Sequence, residues 1–337
     1  MAGRVRLVFA GPRRVELVEE PLGAPPPGHA LVRTLVSAVS AGTELLAYRG
    51  QLPPDMPRDE TLGALRAGTF TYPFSYGYAA VGEVRAVGAD VDPLWLGRRV
   101  FAFEPHATAF VAPVGELQAV PDGVDAERAA LLAHMETAVN LVLDGAPLLG
   151  ERVLVLGQGT VGLLTTALLA RFPLAALAIA EPRPWRREAA RALAGRSLPS
   201  EPDEVRRALG PGGADLVYEL TGDPAALDAA IAAAGHEARV VVGSWYGGKR
   251  AAVDLGGRFH RARLRLVSSQ VSHLGAGLSA RWDRARRFEA AWRALADVDT
   301  RPLVSHRIAF ADAASAYALL DDDAAGVIQV ILTYPPG

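Results

Sequence analysis

Apolar and polar residues alternate along the chain in two different rhythms. Up to about residue 145, short segments of period two such as residues 30–37 and 80–87 are separated by Gly and Pro, which predicts a mostly β domain. From about residue 151, short apolar runs alternate with helical stretches rich in Ala, Leu and Arg. This second pattern is typical of βαβ units around a parallel sheet. The sequence therefore predicts an α/β protein with two domains.

Short apolar runs mark the strands of the predicted parallel sheet, which are Val153–Leu156, Leu177–Ala180, Leu216–Glu219, Arg239–Val242 and Leu264–Val267. Beyond residue 270 the patterns predict a helix, a strand, a helix and a strand, at Trp282–Ala296, Leu303–Ile308, Ala313–Leu320 and Val327–Leu332. This tail has no place in a six-stranded doubly wound sheet. We therefore expect residues 1–145 and 271–337 to form the β-rich domain and residues 146–270 the parallel-sheet domain.

The composition excludes several classes of protein. Half of the 337 residues are hydrophobic and the formal net charge is −2, so we expect neither a nucleic-acid nor a membrane partner. The apolar stretches are shorter than the ~20 residues of a membrane span, and the N-terminus lacks a signal-peptide pattern, which predicts a cytoplasmic protein. The absence of cysteine excludes disulfides, thiolate nucleophiles and cysteine-bound metals.

The strongest motif is the glycine-rich segment at residues 157–162, which reads Gly-Gln-Gly-Thr-Val-Gly. It follows an apolar strand and opens the helical stretch Leu163–Arg171. In dinucleotide-binding folds the first glycine makes the tight turn, the second admits the pyrophosphate and the third lets helix and strand pack closely. The sequence thus predicts cofactor binding by Gly157, Gly159, Thr160, Val161 and Gly162.

The choice between NAD and NADP depends on the residues after the next strand. Glu181 lies roughly 20 residues beyond the motif, where a carboxylate accepts hydrogen bonds from the adenosine ribose. This favours NAD(H), since a carboxylate repels a 2′-phosphate. Arg183, Arg186 and Arg187 follow directly, and one arginine over the ribose would favour NADP(H) instead.

Two further strands each run into a polar or glycine turn. Because ligands bind at the carboxyl ends of the strands in a doubly wound sheet, Thr221, Gly243 and Ser244 are candidates for the nicotinamide-ribose end. Ordinary turn chemistry is the alternative explanation of the same residues.

Four segments in the same order and spacing resemble the zinc-type alcohol dehydrogenases of the medium-chain dehydrogenase/reductase superfamily. They are residues 41–44 (Ala-Gly-Thr-Glu), 77–84 (Gly-Tyr-Ala-Ala-Val-Gly-Glu-Val), 97–100 (Gly-Arg-Arg-Val) and 136–140 (Glu-Thr-Ala-Val-Asn). The resemblance implies a GroES-like β-rich catalytic domain joined to a Rossmann cofactor domain. It also implies a homodimer through the edge segment Leu264–Val271. The Ser-x-Gly-Thr-Glu variant at residues 40–44 most resembles a subgroup that includes bacteriochlorophyllide dehydrogenases.

The chain departs from that family at the zinc ligands. The positions that hold catalytic zinc in the family carry Ala41, Tyr78 and Ala133 here. Alanine offers no lone pair and neutral tyrosine is a poor ligand for zinc. We therefore expect a zinc-independent enzyme.

Without zinc, a carbonyl substrate has to be polarised by hydrogen-bond donors. By the resemblance, Thr43 corresponds to the hydroxyl residue that touches the substrate oxygen, and Tyr78 replaces a zinc-ligand histidine. Glu44 is a candidate partner for Tyr78, His106 a candidate general acid, and Glu136 flanks the missing third ligand. Turn capping, volume filling and ordinary hydrogen bonding are the alternatives for these residues.

Three functions follow from these residues. The first is an NAD(P)-dependent dehydrogenase that transfers a hydride between nicotinamide and a small alcohol or carbonyl substrate. The second is a zinc-free reductase of activated double bonds or quinones. The third is a cofactor-binding protein without catalysis. Neither the substrate nor the direction of the reaction is evident from the sequence.

Overall fold

The computed structural model describes residues 3–335. These residues fall into two compact units, one containing the chain up to Ala133 and from Val304 onward, the other spanning His134–Leu303. Residues 134–145 and 271–303, which the sequence analysis assigns to the first domain, therefore lie in the second unit. Within residues 3–335, no helix combines the length and apolar character needed to cross a bilayer.

The elements of the first unit before the crossover are β1 (Gly3–Gly11), β2 (Arg14–Pro21), β3 (His29–Ala38), α1 (Ala41–Tyr48), β4 (Ala80–Val87), β5 (Arg99–Ala102), β6 (Ala109–Pro113), β7 (Gln118–Ala119) and α2 (Ala126–Ala129). Helix α3 (Leu132–Gly145) carries the chain into the second unit.

The elements that follow are β8 (Arg152–Leu156), α4 (Thr160–Leu169), β9 (Ala176–Ala180), α5 (Pro184–Ala194), α6 (Pro202–Leu209), β10 (Ala214–Glu219), α7 (Ala226–Ala233), β11 (Ala234–Val242), β12 (Arg265–Ser268) and α8 (Arg284–Asp297). The chain then returns to the first unit with β13 (Val304–Ala309), α9 (Ala313–Asp321) and β14 (Gln329–Thr333).

The main sheet of the first unit has the order β13-β14-β3-β4-β5-β7, with β6 also paired to β3, and β1 and β2 form a separate hairpin. Strand β14 runs antiparallel to β3, with Leu332 opposite Ser37. The part of the chain after residue 303 thus completes this sheet, whereas the sequence predicts that the whole tail from residue 271 returns to this domain. An aromatic core packs beside it, in which Phe9 stacks on Phe74 and meets Tyr317 edge-on.

The second unit contains a parallel sheet of the order β12-β11-β10-β8-β9. The chain leaves β8 towards β9 on one side and then resumes with β10 on the other, so the switch point lies between β8 and β10. Outside β9, the N–H of Ile179 donates to the carbonyl of Pro199. This short segment stands where a sixth strand would extend the sheet. The α/β class and the doubly wound sheet agree with the prediction.

Candidate active site and cofactor site

The glycine-rich segment forms the turn between β8 and α4 in the second unit. Gly157 has a φ of +86°, and a Cβ added there would lie 2.7 Å from the carbonyl oxygen of Leu220. A Cβ on Gly162 would lie only 2.1 Å from the carbonyl oxygen of Gly157, whereas Gly159 has open space around its Cα. The first and third glycines are thus required by the packing of this turn, and the second leaves the surface that a pyrophosphate approaches.

The start of α4 supplies the electrostatics of this turn. Gly159 is the N-cap residue of α4 and makes no side-chain cap hydrogen bond. The first turn begins with Thr160 and Val161, and its backbone N–H groups give this end of the helix a partial positive charge. The buried side-chain amide nitrogen of Gln158 has no hydrogen-bond partner among the described residues. These donors suit a negatively charged ligand.

Glu181 directly follows β9 and hydrogen-bonds to the glycine-rich turn. Its carboxylate accepts hydrogen bonds from the backbone N–H of Gln158 at 2.8 Å and of Arg183 at 3.0 Å. The Arg183 guanidinium also pairs with it, at 3.3 Å. Arg187 donates to the backbone carbonyl of Glu181 and pairs with Glu201. The arginines that follow the strand are therefore engaged with the protein.

A second cluster lies at the end of β10, which neighbours β8. The carboxylate of Glu219 is fully buried and accepts hydrogen bonds from the Thr221 backbone N–H at 2.8 Å, the Thr221 hydroxyl and the phenol of Tyr246, both at 2.5 Å. Burial and Glu219 together raise the pKa of Tyr246, so this phenol stays protonated and donates.

The Glu219 cluster also joins two loops at the carboxyl edge of the sheet. The Ser244 hydroxyl accepts the N–H of Gly222 at 2.8 Å, and Gly243 N–H donates to the backbone carbonyl of Glu219. The structure thus brings Thr221, Gly243 and Ser244 to the edge that carries the glycine turn. Neither Glu219 nor Tyr246 is among the candidates predicted from the sequence, although a carboxylate at the end of an apolar strand is a visible signal.

In the first unit, three hydroxyl groups meet at the start of α1. The phenol of Tyr78 donates to the Ser40 hydroxyl at 2.5 Å, and the Thr43 hydroxyl also hydrogen-bonds to Tyr78. Burial raises the pKa of Tyr78 to about 12, against the effect of these two bonds. At neutral pH the phenol is protonated and acts as a hydrogen-bond donor.

The other candidates of the first unit lie inside it. Glu44 and His106 are both fully buried. The His106 ring contacts the Glu44 carboxylate at 3.0 Å and the Ser37 hydroxyl at 2.7 Å. Among the described residues, the Glu44 carboxylate accepts hydrogen bonds from the Ser40 N–H, His106 and Tyr317 rather than from Tyr78.

Glu136 lies in the second unit, where it is 3% exposed. Its carboxylate accepts two hydrogen bonds from the Arg287 guanidinium, at 2.8 Å and 3.0 Å. Burial raises the pKa of Glu136 despite this ion pair. The sequence analysis does not anticipate this pairing.

The residues present do not suit a catalytic zinc. Ala41 and Ala133 offer no ligand atom, and the Tyr78 phenol keeps its proton and donates a hydrogen bond to the Ser40 hydroxyl. Among residues 3–335, no group of three or more His, Cys, Asp or Glu side chains is arranged to bind a metal. Zinc takes lone pairs from neutral imidazole, thiolate or carboxylate, and residues 41, 78 and 133 supply none of these groups.

The fold of these two units is that of the medium-chain dehydrogenases. An alcohol dehydrogenase from Escherichia coli CFT073 complexed with NADH matches with a TM-score of 0.79 at 19% identity, covering 98% of this chain and 99% of that one. A putative zinc-binding dehydrogenase from Sinorhizobium meliloti 1021 bound to NADP matches with a TM-score of 0.77 at 17% identity, covering 99% and 100%. At these identities the likeness establishes the fold alone.

The sequence relatives are dehydrogenases too. Sorbitol dehydrogenase of Bacillus subtilis is 25% identical over 259 residues, 60% of this chain and 73% of the relative. The 2-desacetyl-2-hydroxyethyl bacteriochlorophyllide A dehydrogenase of Cereibacter sphaeroides is 27% identical over 280 residues, 78% of this chain and 80% of the relative. No protein-family model matches the chain. The relatives support an oxidoreductase that acts on alcohols.

Proposed function

We propose that the protein is an NAD(P)-dependent oxidoreductase that transfers a hydride between the nicotinamide and an alcohol or carbonyl substrate without a catalytic zinc. The observation that carries the proposal is the glycine turn, in which Gly157 and Gly162 pack against backbone while Gly159 stays open. The names of the relatives support the same class of reaction. Membership in the Ser-x-Gly-Thr-Glu subgroup stays a prediction, and the particular substrates of the relatives are not assigned to this chain.

The cofactor-binding residues of this proposal all belong to the second unit, and they are Gly157, Gly159, Thr160, Val161, Gly162, Glu181, Arg183, Thr221, Gly243 and Ser244. When bound, the nicotinamide supplies or accepts the hydride. The donors at the start of α4 bind the pyrophosphate, and the edge formed by Thr221 and Ser244 binds the nicotinamide ribose.

The surroundings of Glu181 favour NAD(H) over NADP(H). Its carboxylate carries negative charge at the ribose position. Arg183 already pairs with that carboxylate, and Arg187 is held by the backbone carbonyls of Glu181 and Pro182 and by Glu201. A 2′-phosphate would have to displace these bonds to gain an arginine partner.

The hydroxyl groups of Ser40, Thr43 and Tyr78 take the place of a Lewis acid in this proposal. A protonated phenol and a threonine hydroxyl hydrogen-bond to the substrate oxygen and stabilise the negative charge that develops there. Because its pKa is raised to about 12, Tyr78 donates a hydrogen bond at neutral pH and does not act as a base.

The first test is a fluorescence titration of metal-free protein with NADH and with NADPH, repeated after zinc is added. We expect tighter binding of NADH, no response to zinc, and turnover with a panel of alcohols and ketones. Failure to bind either cofactor would refute the assignment. Tight binding without turnover across the panel would favour the non-catalytic alternative.

Two glycine variants sharpen this test. Gly159→Ala adds a methyl group into open space, so the apoprotein should keep its stability while NADH binding weakens by about tenfold or more, because the backbone no longer approaches the pyrophosphate. Gly162→Ala places a Cβ 2.1 Å from the Gly157 carbonyl oxygen and should destabilise the apoprotein as well. Thermal unfolding without cofactor separates the two effects.

A further inference from the structure

Five polar side chains form a continuous buried series of hydrogen bonds inside the first unit, which we call the Glu44 chain. They are Tyr317, Glu44, His106, Ser37 and Tyr334, and each is at most 9% exposed. They come from α9, α1, the segment after β5, β3 and the residue after β14. Polar groups buried this deeply are costly unless each finds a partner.

Each side chain of the Glu44 chain has a hydrogen-bond partner within it. Tyr317 donates to Glu44 Oε2 at 2.5 Å, and the same oxygen lies 3.0 Å from His106 Nε2. His106 Nδ1 lies 2.7 Å from the Ser37 hydroxyl, which lies 2.8 Å from the phenol of Tyr334. Each ring nitrogen of His106 therefore has a partner.

The charge on Glu44 fixes the direction of the hydrogen bonds to its carboxylate. Burial would raise the pKa of Glu44, but the charge and hydrogen bond of His106, with hydrogen bonds from Tyr317 and the Ser40 backbone, hold that pKa below its ordinary value. A carboxylate only accepts hydrogen bonds. The His106 Nε2 therefore carries a proton and donates a hydrogen bond to Glu44.

The Glu44 chain connects to the phenol of Tyr78 through Ser40. Glu44 Oε1 accepts the Ser40 backbone N–H at 2.7 Å, and the Ser40 hydroxyl accepts the phenol of Tyr78 at 2.5 Å. Ser40 is the N-cap residue of α1, yet its side chain makes no cap hydrogen bond. One side of this residue is thus fixed by Glu44, and its hydroxyl is available to fix Tyr78.

We propose that Glu44 is a positioning residue, which His106 and Tyr317 hold in place so that it fixes Ser40 and thereby aims the phenol of Tyr78. The role of Tyr78 towards substrate rests on the proposed function, whereas the fixing of its phenol does not. A carboxylate held by three donors and removed from solvent has one orientation, which is the requirement for a positioning group. Nothing in this role requires Glu44 or His106 to touch the substrate.

The test compares Glu44→Gln, Tyr78→Phe and the double variant. We expect Glu44→Gln to lower kcat by about tenfold to a hundredfold with little change in KM. In the Tyr78→Phe background the same change should lower kcat no further, because the two residues act as a unit. Additive losses in the double variant would overturn the proposal.

A readout independent of activity is the NMR signal of isotope-labelled tyrosine, with the Tyr78 resonance assigned from its loss in Tyr78→Phe. Glu44→Gln should shift this resonance at neutral pH, because the hydrogen bond of the phenol to Ser40 changes. An unchanged Tyr78 signal, with kcat also unchanged, would overturn the positioning role even if Tyr78→Phe abolished turnover. A shifted signal with full turnover in Tyr78→Phe would instead support the positioning of Tyr78 and refute its place in the proposed function.

Two further variants guard against loss of folding. Tyr317→Phe removes one donor to Glu44 and keeps the ring in the aromatic core, so it replaces Glu44→Gln if that variant does not fold. We expect it to lower kcat and to shift the Tyr78 signal, each by less than Glu44→Gln. If Tyr317→Phe changed neither kcat nor the Tyr78 signal, the proposal would be overturned. Thr34→Val is the matched control, because Thr34 is 1% exposed and donates to the carbonyl of Ala107, outside the Glu44 chain. It should lower stability while leaving kcat and the Tyr78 signal unchanged.

Discussion

Glu104 is a carboxylic acid in surroundings that disfavour its charge. Burial raises its pKa to about 8, with Glu116 adding to the effect and Arg4 opposing it. The sequence analysis selects the neighbouring His106 as a candidate acid, because histidine titrates near neutrality without help from its surroundings. Only the structure gives Glu104 a pKa in that range.

The protonation of Glu104 predicts how stability depends on pH. Its ordinary pKa is 4.5, so between about pH 4.5 and pH 8 the folded protein binds a proton that the unfolded chain does not. The free energy of unfolding should therefore fall as pH rises through this window, by at most about 1.4 kcal/mol per pH unit from this group.

Glu104→Gln should remove this slope and stabilise the protein at pH 8 relative to the wild type, because the amide mimics the neutral acid. Urea unfolding at pH 5, 6, 7 and 8 measures the difference, with the exposed Glu60→Gln as control. Parallel curves for Glu104→Gln and the wild type would show that Glu104 titrates normally.

At the scale of elements, a buried ion pair joins α3 to α8. Arg287 is 2% exposed and donates to Glu136 at 2.8 Å and 3.0 Å and to the side-chain carbonyl of Asn140 at 2.9 Å. The Asn140 amide in turn donates to Asp144. This network holds α8 in the second unit.

Arg287→Met should destabilise the protein by about 3–5 kcal/mol, because the Glu136 charge would stay buried without its partner. The double variant Glu136→Gln/Arg287→Met should regain part of that loss, since no unpaired charge remains. Urea unfolding measures both. Arg293→Met, which breaks an exposed pair with Glu289 on the same helix, should cost about 1 kcal/mol or less. Equal losses from Arg287→Met and Arg293→Met would contradict the prediction.

The sequence predicts the elements well wherever local pattern determines them. The predicted strand at residues 80–87 has the bounds of β4, and the predicted strands of the parallel sheet overlap β8 to β12. Strand β11 begins earlier than predicted, at Ala234, because its first residues include the polar pair His236 and Glu237 and give no apolar signal.

The long-range contacts of the site could not be read from the sequence. Arg287 and Glu136 resemble surface residues in a helical pattern, and their pairing across 151 positions appears only in the fold. Likewise nothing local connects Glu44 with Tyr317, 273 positions away. The glycine turn could be predicted because its chemistry is confined to six adjacent residues.

At the scale of the whole molecule, β12 is an edge strand of the parallel sheet. Leu266 is 39% exposed, and the N–H of Ser269 donates to β11. Because the direction of N–H groups alternates along a strand, the N–H groups of Leu266 and Ser268 point away from β11. Such an unpaired edge can add a strand from a second copy of the chain.

We propose a homodimer that pairs these edges. Leu266→Pro should yield monomers, since proline removes an outward N–H and leaves the bonds to β11 intact. Leu266→Ser keeps that N–H and should remain dimeric. Sedimentation velocity distinguishes the two states, and a wild type that sediments as a monomer would refute the proposal.

The return of the chain to its first sheet has a consequence for biosynthesis. Strand β3 needs β14 as a neighbour, and Glu44 and Ser37 need Tyr317 and Tyr334, so the β-rich unit lacks essential partners until those residues leave the ribosome. The second unit is continuous from His134 to Leu303 and is synthesised before them. Tyr334 follows Ala133 by about 200 residues, so at about 5–20 residues per second the residues up to Ala133 wait roughly 10–40 seconds. The unit whose synthesis begins earlier is therefore the last to complete its fold.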